Sequence, residues 1–242
     1  WIEIGPLEPT FKRNFGFPKL LYRLAERLPS NVITTSLFTK TSIIKNSHFT
    51  SKDITLIYPG PKIFSQKEIK IYRAKAKSLT SLKKAICIGV MARLADENEI
   101  GMVIRAFHLY LQKVPTNCRL LIIGDGPKRE ELQNLSQQLM IKDQVVFYGF
   151  VGEEEKRILL ARCAFFIFPR AWELDGFGMT TIEAMSLGLP ILTTDFGPQI
   201  EIVTDSKQGY KYRPHDCFDL SLKIEKLMSL SSSELKKISK AA

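Results

Sequence analysis

A regular alternation of apolar runs and helical segments begins at Ala85 and is the feature that most constrains the fold. The apolar runs lie at 86–91, 119–123, 145–148, 164–168 and 190–194, with a weaker one at 209–212. Because these runs are continuously apolar, they predict strands buried on both faces. Helices are predicted between and after them, at 99–113, 128–140, 153–162, 178–187, 198–204 and 216–229. The pattern predicts an α/β fold with a doubly wound, Rossmann-like parallel sheet that binds its ligand at the carboxyl ends of the strands.

The N-terminal third predicts part of a second α/β domain. A Leu-rich helix at 18–29 is followed by a strand at 31–35, a helix at 37–46 capped by Ser36, and a strand at 54–58. The helix at 18–29 fits a membrane surface or a protein core, and its bounding prolines favour the core. We therefore divide the chain into a partial domain at 1–60, an interdomain connection at 61–84, a main domain at 85–230 and a tail of frayed helix at 231–242.

The net charge of +10 is concentrated near the N-terminus. Residues 1–85 carry 16 Lys and Arg against 5 Asp and Glu, whereas residues 86–242 carry 19 against 20. A basic region of this kind fits nucleic acid, an anionic membrane surface or an acidic acceptor, or it is an ordinary solvated surface. No interleaved aromatic residues or recognition motif accompany it, which argues against a nucleic-acid partner.

The cysteines predict free thiols rather than disulfides or a zinc site. Cys87, Cys118, Cys163 and Cys217 are widely spaced, without a Cys-x-x-Cys pair, and most lie in or beside apolar runs. Buried free thiols favour a reducing compartment such as the cytoplasm. The three histidines do not cluster with them, so no metal site is predicted. The chain starts at Trp1 and has no apolar run of membrane-spanning length, and we expect it to be a fragment or a processed form.

The segment from Pro169 to Pro190 predicts an anion site. Gly176 and Gly178 allow a sharp turn between a buried strand and the start of a helix, where unpaired N–H groups attract phosphate. The carboxylates of Asp175 and Glu183 flank this point, and a carboxylate binds hydroxyl groups rather than phosphate. Phosphate beside sugar hydroxyls suggests a nucleotide sugar. For Asp175, an interaction with the helix dipole alone is the alternative.

The residues of this segment resemble a known motif. Asp175-Gly-Phe-Gly-Met-Thr-Thr-Ile-Glu183-Ala-Met, followed by Gly188-Leu-Pro190, resembles the Glu-x7-Glu signature of retaining family-4 glycosyltransferases, with Asp175 in place of the first Glu. The resemblance implies the donor half of a two-domain GT-B fold, preceded by the end of the N-terminal, acceptor-side domain. It implies retaining transfer from a UDP- or GDP-sugar to a hydroxyl of a glycan or lipid-linked sugar, without a metal or cofactor. We expect the protein in the cytoplasm, where its basic N-terminal third fits the cytoplasmic face of an anionic membrane.

The resemblance also assigns roles to individual residues. Asp175 would hold the transferred sugar, Glu183 the ribose, and Arg93 the diphosphate, because arginine pairs well with oxygen atoms. Arg93 matches the Arg of the family's Arg-x4-Lys pattern, whereas Asn98 stands where that pattern has Lys. The donor-contacting positions are Asn98, Gly126, Phe150, Val151, Gly176, Phe177, Gly178, Met179 and Thr180. The alternatives are a surface ion pair between Arg93 and Asp96, and core positions for Phe150 and Val151.

Three other functions have weaker support in the sequence. A catalytically inactive GT-B module that keeps a nucleotide site is the main alternative, and Asp175 and Asn98 favour it. A nucleic-acid-binding protein is favoured only by the basic first third. A dinucleotide-dependent dehydrogenase is disfavoured because no Gly-x-Gly-x-x-Gly follows a predicted strand. Glu201, in the loop after the fifth strand, is predicted to be structural rather than catalytic.

Overall fold

The computed structural model describes residues 2–3, 32–46, 49–60, 62–79, 82, 85–170 and 177–241. The predicted helix at 18–29 and the candidate residues Asp175 and Gly176 lie outside the described residues. Within these ranges the chain forms two parallel sheets, one of three strands and one of six.

The N-terminal part forms the smaller sheet. Strand β1 (Ile2–Glu3) pairs with β2 (Val32–Thr34), and β2 pairs with β3 (Ile54–Leu56). Helix α1 (Leu37–Asn46) packs Ile43 against this sheet. The predicted helix cap is confirmed, because the Ser36 hydroxyl accepts a hydrogen bond of 3.0 Å from the Thr39 amide.

The connection between the two sheets contains a helix that the sequence pattern did not predict. Helix α2 (Gln66–Lys77) begins at Ser65, whose hydroxyl accepts a hydrogen bond from the Glu68 amide, while the Glu68 carboxylate accepts one from the Ser65 amide. This capping box satisfies two amides that would otherwise lack a partner. Because only Ile69 and Ala76 of this helix are buried, its apolar face is too narrow to stand out among the lysines. Residues 61–84 thus lie between the two sheets, as the assignment of a connection requires, but they contain a helix that was not expected there.

The main domain is built on a six-stranded sheet with the order β6-β5-β4-β7-β8-β9. Its strands are β4 (Ile86–Met91), β5 (Cys118–Ile123), β6 (Val145–Gly149), β7 (Cys163–Phe168), β8 (Ile191–Thr194) and β9 (Gly209–Tyr212). All neighbouring strands pair in parallel, and the side chains of β5 and β8 are almost entirely buried. The predicted α/β fold with a doubly wound parallel sheet is thus confirmed.

Helices cover both faces of this sheet. They are α3 (Ile100–Lys113), α4 (Arg129–Gln138), α5 (Glu153–Arg162), α6 (Met179–Ser186), α7 (Gln199–Ile202) and α8 (Cys217–Ser229). Leu120 packs on one face with Phe107 and Ile224, whereas its neighbour Leu121 packs on the other with Leu160. Successive residues of a strand point to opposite faces, so a continuously apolar strand supplies two cores at once.

The C-terminal segment is a packed helix rather than a frayed tail. Helix α9 (Ser232–Ala241) follows α8, and Ile238 is 5% exposed within the core on that face of the sheet. Leu235 packs partly against the same core. A helix was expected after Leu230 and is present; it is packed rather than frayed because these two apolar residues, three positions apart, anchor an otherwise polar helix.

Among the residues that the structure describes, no helix is both long and apolar enough to cross a membrane. Nor do these residues contain a cluster of three or more His, Cys, Asp or Glu side chains suited to a metal ion.

The four cysteines are free, and their burial predicts their reactivity. Cys87, Cys118 and Cys163 are buried, and Cys217 is half-buried. Burial raises the pKa of all three buried thiols, that of Cys118 to about 12. Because the thiolate is the reactive form, we expect only Cys217 to react quickly with Ellman's reagent at pH ~8, and all four after unfolding. Cys217→Ser should remove the fast reaction; a folded variant that keeps it would contradict this prediction.

Candidate functional site

The site is the crevice where β4 and β7 lie side by side. From β4 the chain moves outward to β5 and β6, and from β7 it moves in the opposite direction to β8 and β9. The loops that follow β4 and β7 therefore diverge and leave an opening at the carboxyl edge of the sheet. Ligands of doubly wound sheets bind at such a switch point.

Helix α6 begins at this opening. Its N-cap is Gly178, in the left-handed region with φ 76°, so the N-cap residue itself has no side chain to cap the helix. Among the described residues, the amides of Met179 and Thr180 have no hydrogen-bond acceptor, and neither has the buried Thr180 hydroxyl. Three donors beside the positive end of a helix dipole suit an anion such as phosphate.

The loop before α6 is held in place by the buried side chain of Gln199. The Gln199 amide nitrogen donates to the Phe177 carbonyl at 3.2 Å, and its amide oxygen accepts from the Thr181 hydroxyl at 3.0 Å. A Cβ at Gly178 would lie 2.1 Å from the same amide nitrogen. Glycine is therefore required at position 178 both by the backbone angle and by this close contact.

Glu183 lies one turn into α6 and forms an ion pair. Its side chain is 35% exposed, and Oε2 lies 3.0 Å from Nζ of Lys156, which is 14% exposed. The contact lacks hydrogen-bond geometry, since Oε2 of Glu183 has no hydrogen-bond partner among the described residues. The carboxylate is thus anchored from one side by a cation while retaining capacity to accept hydrogen bonds from a ligand's hydroxyls.

Lys156 is fixed between two carboxylates. Its Nζ also donates a 2.6 Å hydrogen bond to Oε1 of Glu153 within helix α5. Burial by itself lowers the pKa of Lys156, but Glu153 and Glu183 outweigh it and hold the pKa above its ordinary value. Lys156 therefore stays charged at neutral pH and orients the Glu183 carboxylate.

Arg93 is exposed in the loop after β4, at the edge of the crevice. The alternative of a surface ion pair with Asp96 is not what the structure contains, because Asp96 pairs with Lys128 at 3.0 Å. Asn98 is 6% exposed, and its amide donates a 2.7 Å hydrogen bond to the Arg93 carbonyl. Asn98 thus shapes the loop that carries Arg93.

The loop after β5 packs against the backbone of the loop after β4. A Cβ at Gly126 would lie 2.4 Å from the Leu94 carbonyl oxygen, and the Leu94 amide donates to the Asp125 carbonyl at 3.0 Å. The glycine at 126 therefore allows the two loops to lie against each other. Its place in the site is to support the backbone around Arg93.

Two apolar candidates follow β6 and differ in their environment. Phe150 is 90% exposed at the carboxyl edge of the sheet. Val151 is half-buried and packs against the core. The alternative of a core position therefore applies to Val151, whereas the ring of Phe150 is available to stack on a ligand.

The remaining candidates lie around the start of α6. Met179 is 43% exposed, whereas Phe177 is 9% exposed. The Phe177 ring lies 5.5 Å from that of Tyr58, which follows β3 in the N-terminal part. The two sheets are thus in contact at the loop that precedes α6. Asp175 and Gly176 belong to the same loop but lie outside the described residues.

Comparison with known proteins gives the family. The model of the family "Glycosyl transferases group 1" matches residues 72–242, well over half of the chain. The chain belongs to this family. A group 1 glycosyl transferase is consistent with the sheet, the crevice and the glycine-bearing start of α6 described above.

Relatives of this group 1 glycosyl transferase are distant and longer. An uncharacterized glycosyltransferase of Methanocaldococcus jannaschii is 28% identical over 200 residues, which cover 81% of the chain and 47% of that relative. A sucrose synthase of Melioribacter roseus is 36% identical over 174 residues, which cover 64% of the chain and 22% of that enzyme. The chain spans between 35% and 47% of the length of three curated relatives that it matches.

Solved structures share the fold. A crystal structure of Anabaena Alr3699/HepE in complex with UDP has a TM-score of 0.82 at 21% identity, covering 99% of the chain and 65% of that protein. The structure of WaaG, a glycosyltransferase involved in lipopolysaccharide biosynthesis, has a TM-score of 0.76 at 16% identity, covering 99% and 68%. These structures confirm the fold that the resemblance implies, GT-B.

Sequence reasoning missed three residues of the group 1 site. Lys156 lies in the charged run Glu153-Glu-Glu-Lys-Arg157. Such a run indicates only the solvent-exposed start of a helix. The sequence assigned no role to Gln199 or Tyr58, and their partners are 22 and 119 positions away along the chain. A signal existed only for Gln199, since a polar side chain within a buried segment needs a hydrogen-bond partner.

Proposed function

We propose that this chain binds a nucleoside diphosphate sugar, with UDP or GDP as the nucleotide, and transfers the sugar to a hydroxyl acceptor with retention of configuration. The observation that carries the proposal is the N-terminus of α6, whose first donors have no acceptor among the described residues, with the anchored carboxylate of Glu183 one turn away. An anion site next to a hydroxyl-binding carboxylate suits a diphosphate joined to a ribose. The complexes of Anabaena HepE with UDP and with UDP-glucose, on the same fold, support it.

In the proposed complex the diphosphate lies at the start of α6. The amides of Met179 and Thr180, the Thr180 hydroxyl and the guanidinium of Arg93 would bind its oxygens. Charge develops on the leaving diphosphate as the bond to the sugar breaks, so donors fixed before the reaction stabilise the transition state most. These groups supply the positive charge, and the proposal therefore includes no metal ion or cofactor.

The other parts of the donor are assigned to residues around this anion site. Glu183, oriented by Lys156, would accept hydrogen bonds from the ribose hydroxyls. The exposed ring of Phe150 would stack on the base. Asp175, in the place of the first acidic residue of the Glu-x7-Glu signature, would hold the hydroxyls of the transferred sugar.

A surface around helix α2 combines positive charge with exposed apolar side chains and suggests where the acceptor binds. Lys67, Lys70 and Lys77 of α2 are exposed, as are Ile63 and Ile71, so this region presents cations together with apolar side chains. Such a surface suits an anionic membrane. We propose a glycan or lipid-linked sugar as acceptor, at the cytoplasmic face of that membrane.

A catalytically inactive nucleotide-binding module is the second candidate. Asn98 supplies no cation to the diphosphate, and its amide is engaged by the Arg93 carbonyl. Such a module would bind the same nucleotides but release none from a nucleotide sugar in the presence of any acceptor. Nucleotide binding supports both candidates, and only turnover of a nucleotide sugar in the presence of candidate acceptors separates them.

A thermal-shift screen tests the shared part of the proposal. UDP, GDP and ADP, each with and without EDTA, should be compared with buffer; at a concentration of about 100 Kd the bound nucleotide adds ~2.7 kcal/mol to the free energy of unfolding. We expect UDP or GDP to raise Tm equally with and without EDTA. No shift with any nucleotide would contradict the proposal.

The assignment of Phe150 gives a prediction of its own. Phe150→Ala should weaken binding of the preferred nucleotide about three- to tenfold, because the stacking contact with the base is lost. The matched control is Phe218→Ala, which removes another exposed ring, on α8. Isothermal titration measures both variants. Equal affinities of Phe150→Ala and the parent protein would place the base elsewhere.

A further inference from the structure

The carboxylate of Glu201 joins the two sheets. Oε2 accepts a hydrogen bond of 2.8 Å from the Leu37 amide, and Oε1 accepts one of 2.7 Å from the Phe38 amide. These are the first two amides of helix α1, so the side chain of one domain caps a helix of the other. A carboxylate at a helix N-terminus gains both charge-assisted hydrogen bonds and a favourable dipole interaction.

Tyr58 extends this contact to the loop before α6. Its hydroxyl donates a 2.9 Å hydrogen bond to Oε2 of Glu201, and this bond raises the pKa of Tyr58 above its ordinary value. The Tyr58 ring lies 5.5 Å from the Phe177 ring. A second aromatic pair, Phe38 with Phe196, packs edge to face at 5.7 Å. The contact is thus made of hydrogen bonds and ring packing together.

Glu201 lies on the same short helix as Gln199. Helix α7 has four residues, and Gln199 at its start is 1% exposed and bound to Phe177 and Thr181 of the α6 region. Glu201, two positions later, is bound to α1. One rigid turn of helix therefore contacts both the anion-binding loop and the N-terminal domain.

We infer that helix α7 couples the position of the N-terminal domain to the order of the loop at Phe177 and Gly178, with Gln199, Glu201 and Tyr58 as positioning residues. The inference rests on the proposed function in one respect, namely that this loop binds nucleotide. If the N-terminal domain is docked on Glu201, α7 is fixed and Gln199 holds the loop in its binding conformation. By thermodynamic linkage, nucleotide at the loop must then strengthen the contact at α1 by the same factor.

Hydrogen exchange without nucleotide tests the coupling by itself. Glu201→Ala should accelerate exchange of the Leu37 and Phe38 amides, and also exchange in a peptide covering Gly178 to Ile182. The second effect is decisive, because a cap that only stabilises α1 would leave that peptide unchanged. Glu130→Ala, which removes an exposed carboxylate on α4, is the control and should change neither region.

Nucleotide binding tests the linkage. Isothermal titration with UDP and with GDP should give an affinity for Glu201→Ala about five- to tenfold below that of the parent protein, at the lower end of typical coupling between sites. Tyr58→Phe should show a smaller loss, because it keeps the ring but not the hydrogen bond. Glu201→Gln, which retains an acceptor oxygen, should recover part of the affinity.

The outcomes separate the inference from the proposed function. Unchanged exchange at Gly178 to Ile182 in Glu201→Ala overturns the coupling, whether or not nucleotide binds. So does unchanged affinity for a nucleotide that the parent protein binds. A parent protein that binds neither UDP nor GDP overturns the proposed function instead, and the exchange experiment without nucleotide then decides the coupling alone.

Discussion

Gly178→Ala is expected to lower the free energy of unfolding by about 2–4 kcal/mol and to abolish nucleotide binding. Alanine in the left-handed region costs ~1–2 kcal/mol, and Gly178 has φ 76°. The added methyl group would also lie 2.1 Å from the Gln199 amide nitrogen, which is buried and bound to Phe177. Gln199 must therefore move, and the loop that it holds moves with it. Urea unfolding and isothermal titration with UDP measure the two effects.

Gly197→Ala is the matched control for this variant. Gly197 also has a positive φ, of 66°, but a Cβ there would have no heavy atom within 4 Å. Only the backbone strain of ~1–2 kcal/mol should appear, and nucleotide affinity should change little. Equal losses of stability in the two variants would show that the close approach of Gln199 to position 178 contributes nothing to the free energy of unfolding. The start of α6 would then not be held in place by Gln199.

The strands of the main sheet could be predicted from the sequence because most of them are buried on both faces. The run Ile86–Met91 was predicted with its observed bounds, and the other strands differ by one residue at an end at most. Continuous apolar character is a local signal, readable without knowledge of the partner strands. Glycine and proline then mark the ends of helices, as Gly188 and Pro190 do after α6.

Helices that bury little surface were harder to predict. Helix α2 buries only Ile69 and Ala76, so its sequence resembles a charged linker, whereas α9 was expected to be a helix but not one that packs through Ile238. The capping box of Ser65 and Glu68 was the local signal for α2, and the abundance of lysine obscured it. A helix that packs through only two residues has too narrow an apolar face to be predicted from the periodicity of its sequence.

The candidate site likewise contains features that a local motif identifies and features that it does not. Glu183, Gly178 and Arg93 belong to local motifs, and their places at the start of α6 and after β4 follow from strand order. Contacts between distant parts of the chain do not follow from strand order: Lys156 lies 27 positions before Glu183, and Glu201 lies 163 positions after Phe38. Contacts of this kind depend on how helices pack on the sheet, for which a single sequence carries no local signal.

Glu183→Ala is expected to weaken UDP or GDP binding about ten- to hundredfold while the protein stays folded. The variant removes the hydrogen bonds to the ribose hydroxyls, and bonds to a charged group contribute ~1.5–3 kcal/mol. Stability should change little, because Lys156 keeps its 2.6 Å hydrogen bond to Glu153. Isothermal titration gives the affinity, and Tm without nucleotide shows whether the fold is intact.

Lys156→Met separates binding by Glu183 from its orientation. This variant keeps the Glu183 carboxylate but removes the cation 3.0 Å from it, so its affinity should fall between those of the parent protein and Glu183→Ala. Combining the two substitutions should weaken binding no further than Glu183→Ala alone, because Lys156 acts through Glu183 and the effects of coupled residues are not additive. If Glu183→Ala is folded and binds nucleotide as tightly as the parent protein, the ribose lies elsewhere. If instead the two losses add, Lys156 contacts the nucleotide directly.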